Sequence, residues 1–212
     1  GQYQHFMLKE IHDQYKVASQ AIQASMNDNG LRQDFLPAQI DQALQQCRSI
    51  HIVACGSSWH AGCVAKYWLE SIAGIPCSVE VASEYRYRHP AIPEQAVFVA
   101  ISQSGETADT LAAMRYAKAG GYLATLSICN RANSTMCRES DATVLTHAGV
   151  EVGVASTKAV TAQLIMLALL SLRCAQLRMV KQSYQDDLIQ QLQQLPMAIS
   201  RVLKLEPQIK EM

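Results

Sequence analysis

The sequence predicts an α/β protein with three layers, α/β/α, built on a five-stranded parallel sheet and extended by helices at both ends. Short runs rich in β-branched residues alternate with longer segments of helical periodicity, which is typical of parallel strands joined by crossover helices. Hydrophobic residues make up 49% of the chain and charged residues 17%, a composition that predicts a folded protein with much buried surface. At 212 residues the chain is long enough for one large domain.

The elements follow from apolar runs and the turn residues between them. The first apolar positions recur at helical spacing over residues 6 to about 26, and the segment 27–30 breaks that helix before a shorter one ends near Cys47. Further helices are expected over 59–72, 157–172 and 184–210, the last bent or ended by Pro196. We therefore divide the chain into a helical extension (1–48), an α/β domain (49–182) and a C-terminal helix (183–212). The five strands are expected at 50–54, 76–81, 96–101, 122–129 and 142–145.

The most informative segment follows the third strand and reads Ser102-Gln103-Ser104-Gly105-Glu106-Thr107. It places hydroxyl groups, a flexible glycine and backbone N–H groups at the start of a helix, where the peptide dipoles favour a phosphate. Serine and threonine are also ordinary helix caps, so this turn alone does not distinguish an anion site from a common βα junction. We expect the Glu106 carboxylate to point away from any bound anion.

Two more turns carry glycine and hydroxyl residues, at 55–58 and 150–158. Ligands of such sheets bind at the carboxyl ends of the strands, where the strand order reverses, so we expect the three turns at one edge. The spacing of a dinucleotide fingerprint and the Gly-Lys-Ser/Thr of a P-loop are both absent, which disfavours a nucleotide cofactor. A sugar phosphate suits the mixture of hydroxyls and amides better, and we predict no cofactor.

Charge and cysteine content exclude other classes of protein. Lys plus Arg equals Asp plus Glu at 18 each, so no basic face for nucleic acid is expected. The seven cysteines include no CxxC pair, which argues against a metal site or a disulfide framework and predicts a reducing cytoplasm.

The uncharged run between Lys158 and Arg173 is too short for a membrane span. Because its apolar residues nearly encircle the predicted helix, we expect a homodimer interface there.

Six segments, in this order, closely resemble the sugar isomerase (SIS) domain family, which has a flavodoxin-like fold. The resemblance covers nearly the whole chain. The matching segments are FMLKEI (6–11), ACGSSWHAG (54–62), AGIPC (73–77), ASEYRYR (82–88), SQSGETADT (102–110) and EVGVASTKA (151–159).

This resemblance implies the first of two SIS domains in an enzyme that makes glucosamine 6-phosphate from fructose 6-phosphate and glutamine. The acid/base residues would belong to the second domain, so no catalytic residue is assigned here and the chain alone is expected to be inactive. Within this chain, Glu151 is a candidate for the acid/base role, but a less favoured one than a residue of the second domain. Ser57 stands where many relatives carry threonine. The resemblance implies that Ser102, Gln103, Ser104 and Thr107 hold the phosphate of fructose 6-phosphate or glucosamine 6-phosphate, and that Ser57, Ser58, Val154 and Ser156 line the sugar.

Two other functions remain open at this point. A single SIS domain can act as a regulatory module that binds a sugar phosphate and needs no catalytic base. A stand-alone phosphosugar isomerase is also compatible, provided that a partner chain supplies its acid and base.

Overall fold

The computed structural model describes residues 3–28 and 30–211. The helices are α1 (Phe6–Ser25), α2 (Ala38–Gln46), α3 (Gly56–Ala73), α4 (Ala82–Tyr87), α5 (Ala108–Gly120), α6 (Thr135–Glu139), α7 (Lys158–Leu177), α8 (Gln182–Leu203) and α9 (Glu206–Lys210). The strands are β1 (Met26–Asn27), β2 (Gly30–Leu31), β3 (Ser49–Ala54), β4 (Cys77–Val81), β5 (Ala96–Ser102), β6 (Ala124–Cys129) and β7 (Ala142–Leu145).

Five strands form one parallel sheet in the order β4-β3-β5-β6-β7. The predicted fold class is therefore confirmed, and the order reverses between β3 and β5. β5 lies at the centre with all seven residues buried, as its uninterrupted apolar sequence requires for a strand covered on both faces.

Alternate residues of the strands face two separate cores. Ile52, Val99 and Ile128 belong to the larger core, which α2, α3, α7 and α8 help to build. Val53 and Phe98 face the smaller core, which α4, α5 and α6 cover. Both faces of the sheet are thus covered by helices, which gives the three layers.

α7 is a core helix of this chain. It packs against α1, α2, α3 and α8, and each of its residues, all within the described part, is buried or half-buried. The uncharged run within α7 was expected to be too short for a membrane span. With 20 residues, α7 is nevertheless, among the described residues, a helix long and apolar enough to cross a membrane, but most of it is buried inside the protein. Because the chain itself covers α7, the apolar circumference of this helix gives no support for a dimer, which stays a prediction.

Several elements differ from those predicted. β6 begins at Ala124 instead of residue 122, and α7 continues to Leu177 instead of ending at residue 172. α3 begins at Gly56, three residues early, because Gly56 takes a φ of 54° that turns the chain directly from β3 into the helix. The segment expected to break α1 forms the antiparallel β1–β2 hairpin, apart from Asn29, which lies outside the described residues. Pro196 lies inside α8 and does not end it; α8 continues to Leu203, and a separate α9 follows.

His51 is the centre of a polar network in the smaller core. Its side chain is buried on β3, with Nδ1 hydrogen-bonded to the Tyr122 hydroxyl at 2.7 Å and Nε2 2.8 Å from a Glu80 carboxylate oxygen. Arg88 binds the same carboxylate at 2.9 Å, and the Tyr85 ring packs edge-on against the imidazole. Burial lowers the pKa of His51, although Glu80 opposes that effect, so the folded protein favours the neutral ring.

We expect this histidine to make stability fall as the pH drops below about 6.5. The unfolded chain takes up a proton at that pH, while the folded protein, whose His51 pKa is lower, does not. Stability is therefore fully present above pH 6.5 and is lost toward the folded pKa, by at most about 1.4 kcal/mol per pH unit.

Urea unfolding at pH 7.5, 6.5 and 5.5 measures how steeply the free energy of unfolding changes with pH, which is the slope compared below. His51→Gln should flatten it, whereas the exposed His60→Gln variant should retain it. An equal slope in all three proteins would contradict the assignment to His51.

Candidate functional site

The candidate site lies where the strand order reverses, at the carboxyl ends of β3 and β5. Crossover helices leave these two strands in opposite directions along the sheet, which opens a crevice between the two following turns. The 102–107 turn and the start of α3 flank this crevice. Two of the three segments predicted to bind a ligand are therefore adjacent, and the third follows the edge strand β7.

The serine side chains of the 102–107 turn fix its conformation by accepting hydrogen bonds from its backbone. The Gly105 N–H donates to Ser102 Oγ at 3.0 Å, and the Glu106 N–H donates to Ser104 Oγ at 3.1 Å. Ser102 Oγ also lies 2.8 Å from Thr107 Oγ1. Gly105 reverses the chain with a φ of 67°, a conformation that residues with a side chain rarely adopt.

The four predicted phosphate residues differ in exposure. Ser102 is only 2% exposed, so its hydroxyl organises the turn, and its predicted contact with the phosphate stays a prediction. Gln103, Ser104 and Thr107 are half-buried and reach the surface. A serine hydroxyl that accepts an N–H can still donate its own proton to a phosphate oxygen. Behind them starts the 13-residue helix α5, whose first N–H groups have no partner within the helix and carry the positive end of its dipole.

Glu106 points away from this turn. Its Oε1 accepts the Thr135 N–H at 2.7 Å, at the start of α6, and this hydrogen bond lowers the pKa of the carboxyl. Glu106 stands before α5, outside its first turn. Its negative charge is nevertheless directed to another helix, so it does not occupy the end of α5.

Ser134 and α6 support the turn from below. The Met136 N–H donates to the Gly105 carbonyl at 3.1 Å, and Ser134 caps α6 by accepting the Cys137 N–H at 3.4 Å. Ser134 Oγ fills the space that a side chain at Gly105 would need. The position of the turn therefore depends on α6.

Ser57 and Ser58 lie in the first turn of α3 and not in a loop. Ser57 is exposed and Ser58 is half-buried. The Thr110 hydroxyl of α5 points at Cys55 Sγ, 3.8 Å away, just before α3. This contact ties the start of α3 to α5, so both helices begin beside the same crevice.

The loop after β7 is held by two carboxylates. Glu10 on α1 is 3% exposed and accepts the Val152 and Gly153 N–H groups at 2.6 and 3.2 Å. Glu151 accepts the Thr157 and Ala159 N–H groups at 3.0 and 3.1 Å. Glu151 is therefore engaged as a cap of α7, where the helix dipole favours a negative charge.

The two remaining predicted residues lie in the same loop. Ser156 donates its hydroxyl to Glu151 Oε2 at 3.2 Å. The Val154 side chain is fully exposed. The structure thus places Ser156 on the capping carboxylate and Val154 at the surface, and the proposed contacts of both with a sugar stay predictions.

Asn130 joins the turn after β5 to the loop after β7. Its N–H donates to the Gln103 carbonyl at 3.2 Å, and its side-chain amide donates to the Gly149 carbonyl at 2.6 Å. Its Oδ1 accepts the Ala148 N–H at 2.8 Å. A cavity of about 590 Å³ lies between these segments, lined by Gln103 and Glu151 together with Gln20, Ala24, Asn130, Arg131, His147, Gly149 and Val150.

Sequence reasoning missed Asn130, Ser134 and Glu10. Asn130 directly follows a buried strand, a position that could have been included with the other strand ends. Ser134 and Glu10 act through contacts with distant segments, and no local pattern marks them. Within residues 3–28 and 30–211, no group of three His, Cys, Asp or Glu side chains is placed to hold a metal ion.

The reversed strand order and the hydroxyl-rich turn beside it define an α/β domain of the class that binds small ligands at the carboxyl edge of its sheet. The SIS domain family model matches residues 43–173, more than half of the sequence. The chain therefore belongs to the SIS domain family, as the six segments indicated.

Relatives and solved structures agree with this assignment. Over 212 residues the chain is 48% identical to glutamine–fructose-6-phosphate aminotransferase (isomerizing) of Pseudomonas syringae, and over 213 residues 50% identical to that of Pseudomonas putida. It spans 35% of the length of each of these proteins.

Among solved structures, the C-terminal domain of glucosamine-fructose-6-phosphate aminotransferase from Francisella tularensis matches 99% of the chain. The TM-score is 0.94, the identity is 43%, and the chain covers 58% of that structure. Glucosamine-6-phosphate deaminase from Thermotoga maritima matches 91% of the chain at a TM-score of 0.68 and 20% identity, and covers 54% of that structure. The latter likeness shows the fold alone.

Proposed function

We propose that this chain is the sugar-phosphate-binding part of the isomerase domain of an enzyme that makes glucosamine 6-phosphate from fructose 6-phosphate and glutamine. The observation that carries the proposal is the hydroxyl turn at the start of α5, in a chain that is 48% identical along its whole length to an aminotransferase of that name. The chain spans only part of that relative, so the complete reaction is assigned to the longer protein.

Ser104, Thr107 and Gln103 hold the phosphate in this proposal, and buried Ser102 holds the turn in shape. The N–H groups at the start of α5 supply further donors without a lysine or arginine. The phosphate is thus bound by neutral donors, consistent with the even charge balance of the chain. Ser57, Ser58, Val154 and Ser156 are proposed to surround the sugar, which lies in the crevice between β3 and β5.

The chemistry of the parent enzyme needs a proton transfer between C1 and C2 of the sugar, by an acid/base group within hydrogen-bond reach. Glu151 is the carboxylate of this chain that the sequence suggested, but it already accepts two N–H groups at α7. We therefore propose that the acid/base residues belong to a second SIS domain and that this chain alone is inactive.

The division into a helical extension (1–48), an SIS domain (49–182) and a C-terminal helix (183–212) belongs to the same proposal. So do a homodimer, a cytoplasmic location, and the absence of nucleic acid and membrane partners. α1 and α8, which come from the two extensions, pack against each other, so the extensions form one layer beside α7.

Calorimetric titration with fructose 6-phosphate, glucosamine 6-phosphate and unphosphorylated fructose tests the binding role. Because charge-assisted hydrogen bonds contribute about 1.5–3 kcal/mol each, fructose should bind at least about tenfold more weakly than either phosphate ester. Equal binding of fructose, or no binding of any of the three, would refute the phosphate site. Turnover of fructose 6-phosphate by the chain alone would instead support a stand-alone isomerase.

A further inference from the structure

Two thiols lie next to Ser134, the residue that contacts Gly105 of the 102–107 turn. Cys129 is the last residue of β6, Cys137 belongs to α6, and their sulfur atoms are 3.0 Å apart. Both are free, with Cys129 buried and Cys137 partly exposed. A disulfide has an S–S bond of about 2.05 Å, so the sulfur atoms need to approach by roughly 1 Å.

The two thiols differ in acidity. Burial raises the pKa of Cys129 to about 12. Burial also acts to raise the pKa of Cys137, but hydrogen bonds with Cys129, Ser134 and Thr143 outweigh it and hold that pKa below its ordinary value. Since the thiolate is the reactive form, the partly exposed Cys137 is the nucleophile and buried Cys129 is the resolving thiol.

The pair is mechanically connected to the turn through Ser134. The Ser134 hydroxyl donates to Cys137 Sγ at 3.2 Å and lies 3.7 Å from Cys129 Sγ. The same hydroxyl fills the space next to Gly105, whose carbonyl accepts the Met136 N–H of α6. Any approach of α6 toward β6 therefore moves the residues against which the turn rests.

We propose that Cys129 and Cys137 are a redox pair, that a hydroperoxide converts them to a disulfide, and that this displaces the 102–107 turn. A lower affinity for sugar phosphate is the consequence, and this last step rests on the proposed function. No other pair of thiols is needed, and the remaining five cysteines take no part.

The reaction proceeds in two steps. The Cys137 thiolate attacks one oxygen of hydrogen peroxide, the O–O bond breaks, and hydroxide leaves with the bonding pair to give a sulfenic acid. Cys129 sulfur then attacks Cys137 sulfur, the S–O bond breaks, and the Cys129 proton leaves with the oxygen as water. Overall, two thiols lose two electrons and two protons, and one peroxide becomes two waters. A thiol reductant reverses the bond through a mixed disulfide.

Peptide mapping by mass spectrometry after treatment with hydrogen peroxide tests the bond. The expected product is a cross-link between the peptides of Cys129 and Cys137 that dithiothreitol removes. Cys137→Ser should abolish it, whereas Cys63→Ser, which removes a partly exposed thiol of α3, should retain it. Oxidation of Cys137 to sulfinic acid without a cross-link would overturn the proposal.

Hydrogen–deuterium exchange of amides 103–107 tests the coupling without a ligand. We expect exchange at least fivefold faster in the oxidised protein and unchanged in peroxide-treated Cys137→Ser. Equal exchange despite a mapped cross-link would overturn the coupling. Fructose 6-phosphate should also bind at least fivefold more weakly after oxidation. If the reduced protein binds none, the proposed function fails, while the cross-link and the exchange rates still decide the redox pair.

Discussion

Ser102→Ala is expected to weaken binding of fructose 6-phosphate by about tenfold or more and to lower the free energy of unfolding by about 1–3 kcal/mol. The Ser102 hydroxyl is 2% exposed and serves both the Gly105 N–H and the Thr107 hydroxyl. Alanine removes that acceptor and leaves a buried N–H without its partner, which is more costly than losing an exposed hydrogen bond. The turn then loses the geometry that directs Ser104 and Thr107 at the ligand.

Calorimetry and urea unfolding measure the two effects. Ser78→Ala is the matched control, because Ser78 is an exposed serine on β4, and both quantities should stay unchanged. Ser104→Ala separates the roles: Ser104 is half-buried, so its loss should weaken binding with little effect on stability. If Ser102→Ala bound fructose 6-phosphate as tightly as the unaltered protein, the turn would not be the phosphate site.

The central sheet and the hydroxyl turn could be predicted because their signals are local. β5 is a run of apolar residues ending in Ser102, and burial on both faces imposes that composition on a central strand. The turn that follows needs a glycine with positive φ and hydroxyls for its N–H groups, and the sequence shows both directly. Strand existence and the position of the turn therefore required no knowledge of the rest of the fold.

The parts of the site that were missed depend on contacts between distant segments. Glu10 binds the N–H of Val152, 142 residues away, and nothing near Glu10 in the sequence indicates this. The conformation of Gly56 is similar: a single φ of 54° decides whether Ser57 and Ser58 lie in a loop or a helix. Such choices follow from packing of α3 on the sheet, which periodicity does not encode.

Glu151 shows how a capping residue resembles a catalytic one in sequence. A carboxylate in a glycine-rich loop near two hydroxyls is compatible with acid/base chemistry. In the structure its oxygens accept N–H groups at the start of α7, where a negative charge is favoured by the helix dipole. The hydroxyl residue beside it, Ser156, donates to the same carboxylate. The residues of this loop thus indicate a negative charge at the start of α7. In the structure that charge is the Glu151 carboxylate and not a bound ligand.

Gly105→Ala is expected to have the larger effect on stability, because it combines two costs. Alanine at a φ of 67° is strained by about 1–2 kcal/mol, and its Cβ would overlap Ser134 Oγ. Relief of that overlap displaces α6 or the turn, and overpacking of this kind costs a further ~1–3 kcal/mol. Because the displaced turn carries Ser104, binding of fructose 6-phosphate should fall at least about tenfold as well.

Gly74→Ala separates the two costs. Gly74 has a φ of 64°, and apart from its two chain neighbours no heavy atom of the described residues lies within 4 Å of the position that an alanine Cβ would take. This variant therefore carries the backbone strain alone and leaves the binding turn untouched. Urea unfolding should therefore give a free energy of unfolding that is highest for the unaltered protein, lower for Gly74→Ala and lowest for Gly105→Ala. The last two should differ by at least about 1 kcal/mol. An equal loss of unfolding free energy in the two variants would mean that α6 moves away from the new side chain without cost. Ser134 would then not determine the position of the turn, and oxidation of Cys129 and Cys137 would not change phosphate binding.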